Sequence, residues 1–204
     1  MVYITKTELE KVFDGLNLWL KERHISPDTQ TLGLVPNLFE ELSEYYRAQS
    51  KEEKIDAICD ICTFTINALS ATEKNVVLHN FYNIVSKNPM ATIIESVKDM
   101  TTKNISILTY IDILNSCFSI LVEELHTKPY LALMETIKEI SSRTGKYDEN
   151  INKFVKDKGA YDLEGAQKLV GIYQNVVEFD DCWLFDGKTK IKKYYKANYG
   201  VCRI

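Results

Sequence analysis

Two adjoining acid-rich segments, residues 37–50 and 51–70, constrain this chain more than any other feature of its sequence. Their acidic residues recur largely at steps of three and four, the spacing that places side chains on one face of an α-helix. These residues are Glu40, Glu41, Glu44, Glu53, Asp56 and Asp60. A turn near Ser50 would fold the two helices back as an antiparallel pair. We therefore predict a helical hairpin on which the carboxylates converge.

The second segment is apolar on nearly all sides after Asp56, and its polar residues form one narrow stripe. Such a helix is expected to be largely buried, which would carry Asp56 and Asp60 into the interior without a Lys or Arg on the same stripe. Buried carboxylates need a compensating cation, and clustered carboxylates are ligands that Mg²⁺ prefers beside substrate phosphates. The pattern favours a metal site, although either acidic face taken alone is more typical of solvated surface.

Composition narrows the class of protein. The 204 residues are enough for a hydrophobic core, and eight Gly, four Pro and 45% hydrophobic content favour helices. The net charge of −4 gives no electrostatic reason to expect nucleic acid binding. No apolar run approaches the length of a membrane span, and the N-terminus lacks a signal-peptide core. The expected partners therefore include neither nucleic acid nor a membrane.

The cysteines favour a cytoplasmic location. Their odd number, five, and their spacing do not suggest disulfides, which is typical of a reducing compartment. Cys59 and Cys62 form a CxxC motif, but a zinc site would need two further ligands. We expect both to be small buried core residues.

Helices are predicted along most of the first 145 residues. Thr5 or Thr7 would cap the first helix. Residues 30–36 would form a connector, after which Pro36 or Asn37 would open the acidic helix. Further helices are predicted over residues 75–87, 90–100, 105–125 and 131–143.

We predict that Gly145 ends the preceding helix in a left-handed conformation, and the chain changes character from Tyr147 onward. Near its end, five lysines interleave with three tyrosines: Lys188, Lys190, Lys192, Lys193 and Lys196 with Tyr194, Tyr195 and Tyr199. Such a pattern can bind phosphates and stack on nucleobases, or it can anchor a basic edge to an acidic body. We expect residues 1–145 to form one domain and residues 146–204 an extension packed on it.

The acidic motifs resemble those of the all-α nucleoside triphosphate pyrophosphohydrolases, which include MazG-like proteins, dimeric dUTPases and phosphoribosyl-ATP pyrophosphohydrolases. The family pattern is EExxE on one helix, here beginning at Glu40, and an acidic pair ending in an Asp before an apolar run, here Asp60. The usual second motif is ExxD, whereas Asp56 stands four residues and Glu53 seven residues before Asp60. This variant resembles phage-type members. The resemblance implies an all-α fold, a MazG-like helical bundle with a helical or irregular C-terminal extension.

The resemblance also implies a set of site residues. The implied ligands of Mg²⁺, or of Mn²⁺, are Glu41, Glu44, Asp56 and Asp60, with Glu53 as a possible further ligand. Glu40, beside the ligand Glu41, would orient or deprotonate the attacking water. Two later stretches, ETIKEISSRTGKYDE and KKYYKANYGVCRI, are similar to parts of phage-type members. The residues expected to bind phosphates or substrate are Trp19, Arg23, Lys138, Arg143, Tyr195 and Lys196.

The implied activity is hydrolysis of a nucleoside triphosphate to a monophosphate and pyrophosphate, in the control of nucleotide pools. The family further implies a homodimer or homotetramer, located in the cytoplasm, or in the host cytoplasm if the protein is encoded by a phage. One alternative is a related phosphohydrolase that acts on another metabolite, such as phosphoribosyl-ATP. A second is a non-enzymatic helical module whose acidic face docks a basic partner.

Overall fold

The computed structural model describes residues 3–80, 87–102 and 105–204. The chain divides into two compact units: unit 1 comprises Met1–Ile137 with Asn198–Ile204, and unit 2 comprises Lys138–Ala197. The sequence placed a boundary after residue 145 and assigned everything beyond it to one extension. In the structure, Asn198–Ile204 packs with the first unit.

Helices make up most of unit 1, and their ends follow ordinary capping rules. The helices are α1 (Lys6–Glu22), α2 (Pro27–Arg47), α3 (Lys51–Ala68), α4 (Ala71–Asn80), α5 (Pro89–Thr102), α6 (Ile107–Ser119) and α7 (Pro129–Ser142). A π-helical turn, Ile120–Glu124, continues α6, and a 3-10 turn, Tyr199–Cys202, lies near the end of the chain. The side chains of Thr5, Ser26 and Ser50 each accept a hydrogen bond from a backbone N–H in the first turn, which would otherwise lack a partner. Within the described residues, no helix has the length and apolar character needed to cross a membrane.

The helix α2 begins earlier than the sequence predicted. Residues 30–36, expected to form a connector, are helical because Ser26 caps the helix and Pro27 takes its first position, where a proline lacks only an N–H that would be unpaired anyway. Pro36 then lies inside α2. The helix continues through it, since the fully buried Leu34 and Leu38 anchor this turn in the core.

The helix α3 is buried along most of its length, as its apolar composition predicted. Ile58, Cys59 and Cys62 are completely inaccessible to solvent. Both cysteines are therefore core residues, and neither is in a disulfide. The helix packs against α1, α2 and α6, most extensively against α2. This packing holds the predicted acidic hairpin together.

The helix α4 begins with a reciprocal cap. The Ser70 hydroxyl oxygen accepts a hydrogen bond from the Glu73 N–H, and the Glu73 carboxylate accepts one from the Ser70 N–H. The later part of the helix predicted over residues 75–87 lies outside the described residues.

The prediction of an all-α fold is wrong beyond Gly145. Unit 2 contains six strands: β1 (Gly145–Asp148), β2 (Lys153–Lys156), β3 (Gly159–Ala160), β4 (Val176–Glu178), β5 (Cys182–Phe185) and β6 (Thr189–Lys193). Strands β1 and β2 form an antiparallel hairpin, and the others form a sheet in the order β3-β6-β5-β4, in which only the β3–β6 pairing is parallel. One further helix, α8 (Leu163–Val170), follows β3. The fold is therefore mixed α/β rather than an all-α bundle with a helical or irregular extension.

Strand alternation explains this error. Ile191 is completely buried between Lys190 and Lys192, whose side chains reach solvent. This apolar–polar alternation is the signature of a half-buried strand. Ile191 packs with Trp183 and Phe185 in the core of unit 2. Lys190 and Lys192, two of the lysines that suggested phosphate binding, thus lie on the outer face of a sheet.

Gly145 does not end α7 in a left-handed conformation. The glycines with positive φ are Gly171 and Gly187, whereas Gly145 begins β1. A Cβ at this position would collide with the Val155 carbonyl oxygen and the Phe154 ring. A glycine is needed here because the paired strand approaches so closely.

A buried lysine in α4 gives a first testable prediction. Lys74 is 5% exposed, its Nζ donates to Asn17 Oδ1 at 2.5 Å, and burial lowers its pKa to about 8. Below that pH the folded protein must hold a buried charge, so its stability should rise as the pH increases from about 8 to the unfolded pKa near 10.5. Lys74→Met should raise the free energy of unfolding at pH 7 by about 2 kcal/mol. The variant should also lack the gain in stability between pH 8 and pH 10.5.

Urea unfolding at pH 7 and pH 10 measures both effects. Lys98→Met, which replaces an exposed lysine of α5, is the matched control and should change stability by less than about 0.5 kcal/mol. The exposed Asn17 can hydrogen-bond to water once the ammonium is gone. A Lys74→Met protein that is less stable than the wild type at pH 7 would contradict the prediction.

Candidate metal centre

The acidic residues of α2 and α3 come together at the hairpin of unit 1. Burial raises the pKa of Glu41 most, and the electrostatic effects of four neighbouring carboxylates raise it further, in the order Asp60, Glu44, Asp56 and Glu40. Such effects require these side chains to lie near one another. An antiparallel pair joined just after Arg47 places Glu41 opposite Asp60 and Glu44 opposite Asp56, so the spacing and the electrostatics agree.

A pocket of about 310 Å³ opens at the connected end of this hairpin, and its lining residues are Glu44, Arg47, Ala48, Glu53 and Asp56. Three of the five residues are acidic and one is an arginine. A pocket with this lining can take a cation against the carboxylates and an anion against the guanidinium.

We call Glu40, Glu41, Glu44, Asp56 and Asp60 the acidic cluster, and Glu41 is its buried carboxylate. The residue is 7% exposed, and its Oε2 atom has no hydrogen-bond partner. Burial and, after it, the neighbouring carboxylates raise the pKa of Glu41 to about 8. Without a cation, this side chain is therefore mostly protonated at neutral pH.

The sequence predicted a different pair of buried carboxylates. Asp56 and Asp60 are only half-buried, while Glu41, from the other helix, is almost completely enclosed. The polar stripe of α3 lies along its junction with α2, where solvent still reaches the aspartates. Further along that stripe, Thr63 and Asn67 are buried, and each has a side-chain oxygen without a hydrogen-bond partner.

Asp56, an implied ligand, and Glu53, the possible further ligand, have different surroundings. Glu53 belongs to the cap of α3: its N–H donates to Ser50 Oγ at 3.1 Å, and its Oε2 accepts from the Gln49 N–H at 2.6 Å. Asp56 is among the carboxylates that raise the pKa of Glu41, and its Oδ1 accepts a hydrogen bond from the Tyr199 hydroxyl at 2.6 Å. Glu53 is thus engaged in the cap of α3, and the role of Asp56 as a metal ligand stays a prediction.

The residues expected to bind substrate are divided between the two units. Trp19 and Arg23 lie in unit 1, where Arg23 is 4% exposed. Its guanidinium lies 4.6 Å from the centroid of the Trp19 ring, and Nη1 donates to the Trp19 carbonyl oxygen at 3.3 Å. The Arg23 guanidinium thus already interacts with the ring and the carbonyl oxygen of Trp19 at the end of α1.

The remaining four lie in unit 2. The Lys138 ammonium is 3.7 Å from the centroid of the Tyr195 ring, and Lys196 is exposed. Arg143 Nη2 donates to Glu139 Oε1 at 2.8 Å and also to the Tyr161 hydroxyl. Their role as phosphate ligands stays a prediction.

Neither Arg47 nor the position of Tyr199 at the acidic hairpin was predicted from the sequence. Arg47 follows Glu44 by three residues, so helical spacing could have indicated that both face the same pocket. The hydrogen bond from Tyr199 to Asp56 spans 143 residues of sequence, and no local pattern could have revealed it.

The acidic cluster fits a divalent cation in its chemistry but is not closed around one. Among the described residues, no three His, Cys, Asp or Glu side chains stand at the separations of a metal site. The donor set nevertheless consists of carboxylates, which Mg²⁺ prefers, and it includes the buried, unpartnered Oε2 of Glu41. Like charges repel, which keeps the carboxylates apart in the absence of an ion. To share a cation, these side chains must rotate toward one another.

Comparisons of the chain with protein-family models, curated proteins and solved structures gave no match. The resemblance to the all-α pyrophosphohydrolases therefore depends on the acidic motifs and the two later stretches quoted above. Of these, the geometry of the acidic cluster is the part that supports a function.

Proposed function

We propose that this protein is a Mg²⁺-dependent hydrolase that cleaves a nucleoside triphosphate to a monophosphate and pyrophosphate. The observation that carries the proposal is the state of Glu41, a carboxylate with an unpartnered buried oxygen and further carboxylates around it. Burying charge of one sign is unfavourable unless a cation compensates it. A divalent cation bound there would also attract the phosphates of a substrate.

Glu41, Glu44, Asp56 and Asp60 are the residues that would hold the ion. Bound Mg²⁺ would offset charge on the leaving pyrophosphate and lower the pKa of the attacking water. Glu40 is exposed beside Glu41, where its carboxylate can accept a proton from that water.

Arg47 supplies positive charge at the same pocket. Its Nε donates to the Ser43 carbonyl oxygen at 3.3 Å, which directs the guanidinium along the last turn of α2. A guanidinium can bind two phosphate oxygens at once, so Arg47 is suited to hold the phosphate chain against the carboxylates.

A substrate panel tests the proposal. Full-length protein is incubated with each of the common deoxynucleoside and ribonucleoside triphosphates and with phosphoribosyl-ATP, in Mg²⁺ or in EDTA, and pyrophosphate and orthophosphate are measured separately. We expect Mg²⁺-dependent release of pyrophosphate, with no orthophosphate, from at least one nucleoside triphosphate. Release from phosphoribosyl-ATP alone would instead indicate the related phosphohydrolase.

Calorimetry separates the enzyme from an interaction module. A non-hydrolysable deoxynucleoside triphosphate analogue should bind with a heat that depends on Mg²⁺. If neither turnover nor a metal-dependent heat is observed, the proposal is overturned. The homodimer or homotetramer stays a prediction, which sedimentation at micromolar concentration would test.

A further inference from the structure

The segment Asn198–Ile204 is held firmly within unit 1. Thr127 and Arg203 form an antiparallel β-bridge, and the Lys128 N–H donates to the Cys202 carbonyl oxygen at 2.8 Å. Thr127 lies just before α7 and Arg203 just after the 3-10 turn Tyr199–Cys202, so these contacts tie the turn to the start of α7.

Tyr199 points from this turn into the acidic hairpin. Its side chain is buried at 5% exposure, and its hydroxyl donates to Asp56 Oδ1 at 2.6 Å. Thr136 Oγ1 lies 3.0 Å from the same phenolic oxygen. A distance of 2.6 Å is typical of a hydrogen bond from a hydroxyl to an ionised carboxylate.

The Tyr199 hydroxyl has one hydrogen to donate, and a carboxylate oxygen such as Asp56 Oδ1 accepts it. This hydrogen is directed at Asp56. The Tyr199 hydroxyl can therefore accept a hydrogen bond from Thr136 Oγ1 but cannot donate one to it.

We propose that Tyr199 is a positioning residue that fixes the Asp56 carboxylate for binding a divalent cation, an inference that rests on the proposed function. A carboxylate held by one oxygen loses rotational freedom before the cation arrives, so less freedom is lost on binding. Asp56 contributes to both the pocket and the electrostatic environment of Glu41, so its orientation bears on the whole cluster. The segment Asn198–Ile204 is then part of the site and not only a terminal anchor.

The test is Tyr199→Phe, titrated calorimetrically with Mg²⁺ alone and, separately, with Mn²⁺ alone at pH 8. We expect metal affinity to fall roughly ten- to a hundredfold, with an unchanged circular dichroism spectrum. Tyr3→Phe is the matched control, because it removes a buried hydroxyl of unit 1 that donates to Glu123 Oε1 at 3.0 Å, outside the acidic cluster. Its metal affinity should equal that of the wild type.

A double-mutant cycle separates positioning from a merely structural contact. If Tyr199 acts through Asp56, adding Tyr199→Phe to Asp56→Asn should cause less than a twofold further change in metal affinity. Equal losses with and without the Asp56 carboxylate would overturn the inference, as would wild-type affinity in Tyr199→Phe.

The two proposals fail in distinguishable ways. If the wild-type protein binds Mg²⁺ and releases pyrophosphate, and Tyr199→Phe behaves identically, only the positioning role of Tyr199 is overturned. Wild-type protein that binds neither Mg²⁺ nor Mn²⁺ overturns the proposed function and the positioning role together.

Discussion

Glu41→Gln is expected to lower Mg²⁺-dependent pyrophosphate release about a thousandfold while leaving the helix content unchanged. Glutamine has nearly the same shape as glutamate but cannot supply a negatively charged ligand. The variant therefore loses several kcal/mol of the transition-state stabilisation that a metal ion provides. A loss of about 4 kcal/mol corresponds to a thousandfold in rate. Initial rates of pyrophosphate release, with circular dichroism spectra of both proteins, measure the effect.

Two further variants make this result specific. Asp60→Asn removes the carboxylate with the strongest electrostatic effect on Glu41 and should cause a similar loss. Glu95→Gln changes an exposed glutamate of α5 and should retain the wild-type rate. Near-normal turnover in both Glu41→Gln and Asp60→Asn would end the metal-site hypothesis.

The second large effect concerns stability: metal-free protein should become less stable as the pH rises from about 4.5 to about 8. The pKa of Glu41 is raised from 4.5 to about 8 in the folded protein. In this range the unfolded chain has lost the proton that the folded protein keeps, so the free energy of unfolding falls with increasing pH. After allowance for solvent screening, one such group accounts for a fall of about 3 kcal/mol, which is complete once the pH passes the folded pKa.

Urea unfolding in EDTA between pH 4.5 and pH 9 checks this expectation. Other groups titrate in the same range, so the quantity to follow is the difference between the wild type and Glu41→Gln. The variant should be the more stable protein at pH 8, and its advantage should shrink toward pH 4.5. A difference that does not vary with pH would show that Glu41 is not the group responsible.

Features that depend on local spacing could be predicted from the sequence. The acidic hairpin follows from steps of three and four and from a capping serine, Ser50, between its helices. The burial of α3 follows from its apolar composition. The strands of unit 2 were missed because β6 contains only one buried apolar residue, Ile191, between lysines that suggested a binding surface.

Features that depend on tertiary packing could not be predicted. Glu40 and Glu41 are neighbours in the sequence, yet one is exposed and the other is 7% exposed. Only the rotation of α2 against α3 decides which of them is enclosed. The bond between Tyr199 and Asp56 likewise depends on a chain path of 143 residues, which helical spacing does not determine.

The discontinuity of unit 1 has a consequence for biosynthesis. A ribosome delivers all of Lys138–Ala197 before it delivers Tyr199. Asp56 therefore lacks its phenolic partner while the whole of unit 2 is translated. The contact between Tyr199 and Asp56 forms only after Lys138–Ala197 has been synthesised, and it pairs residues far apart in sequence, a topology associated with slow folding.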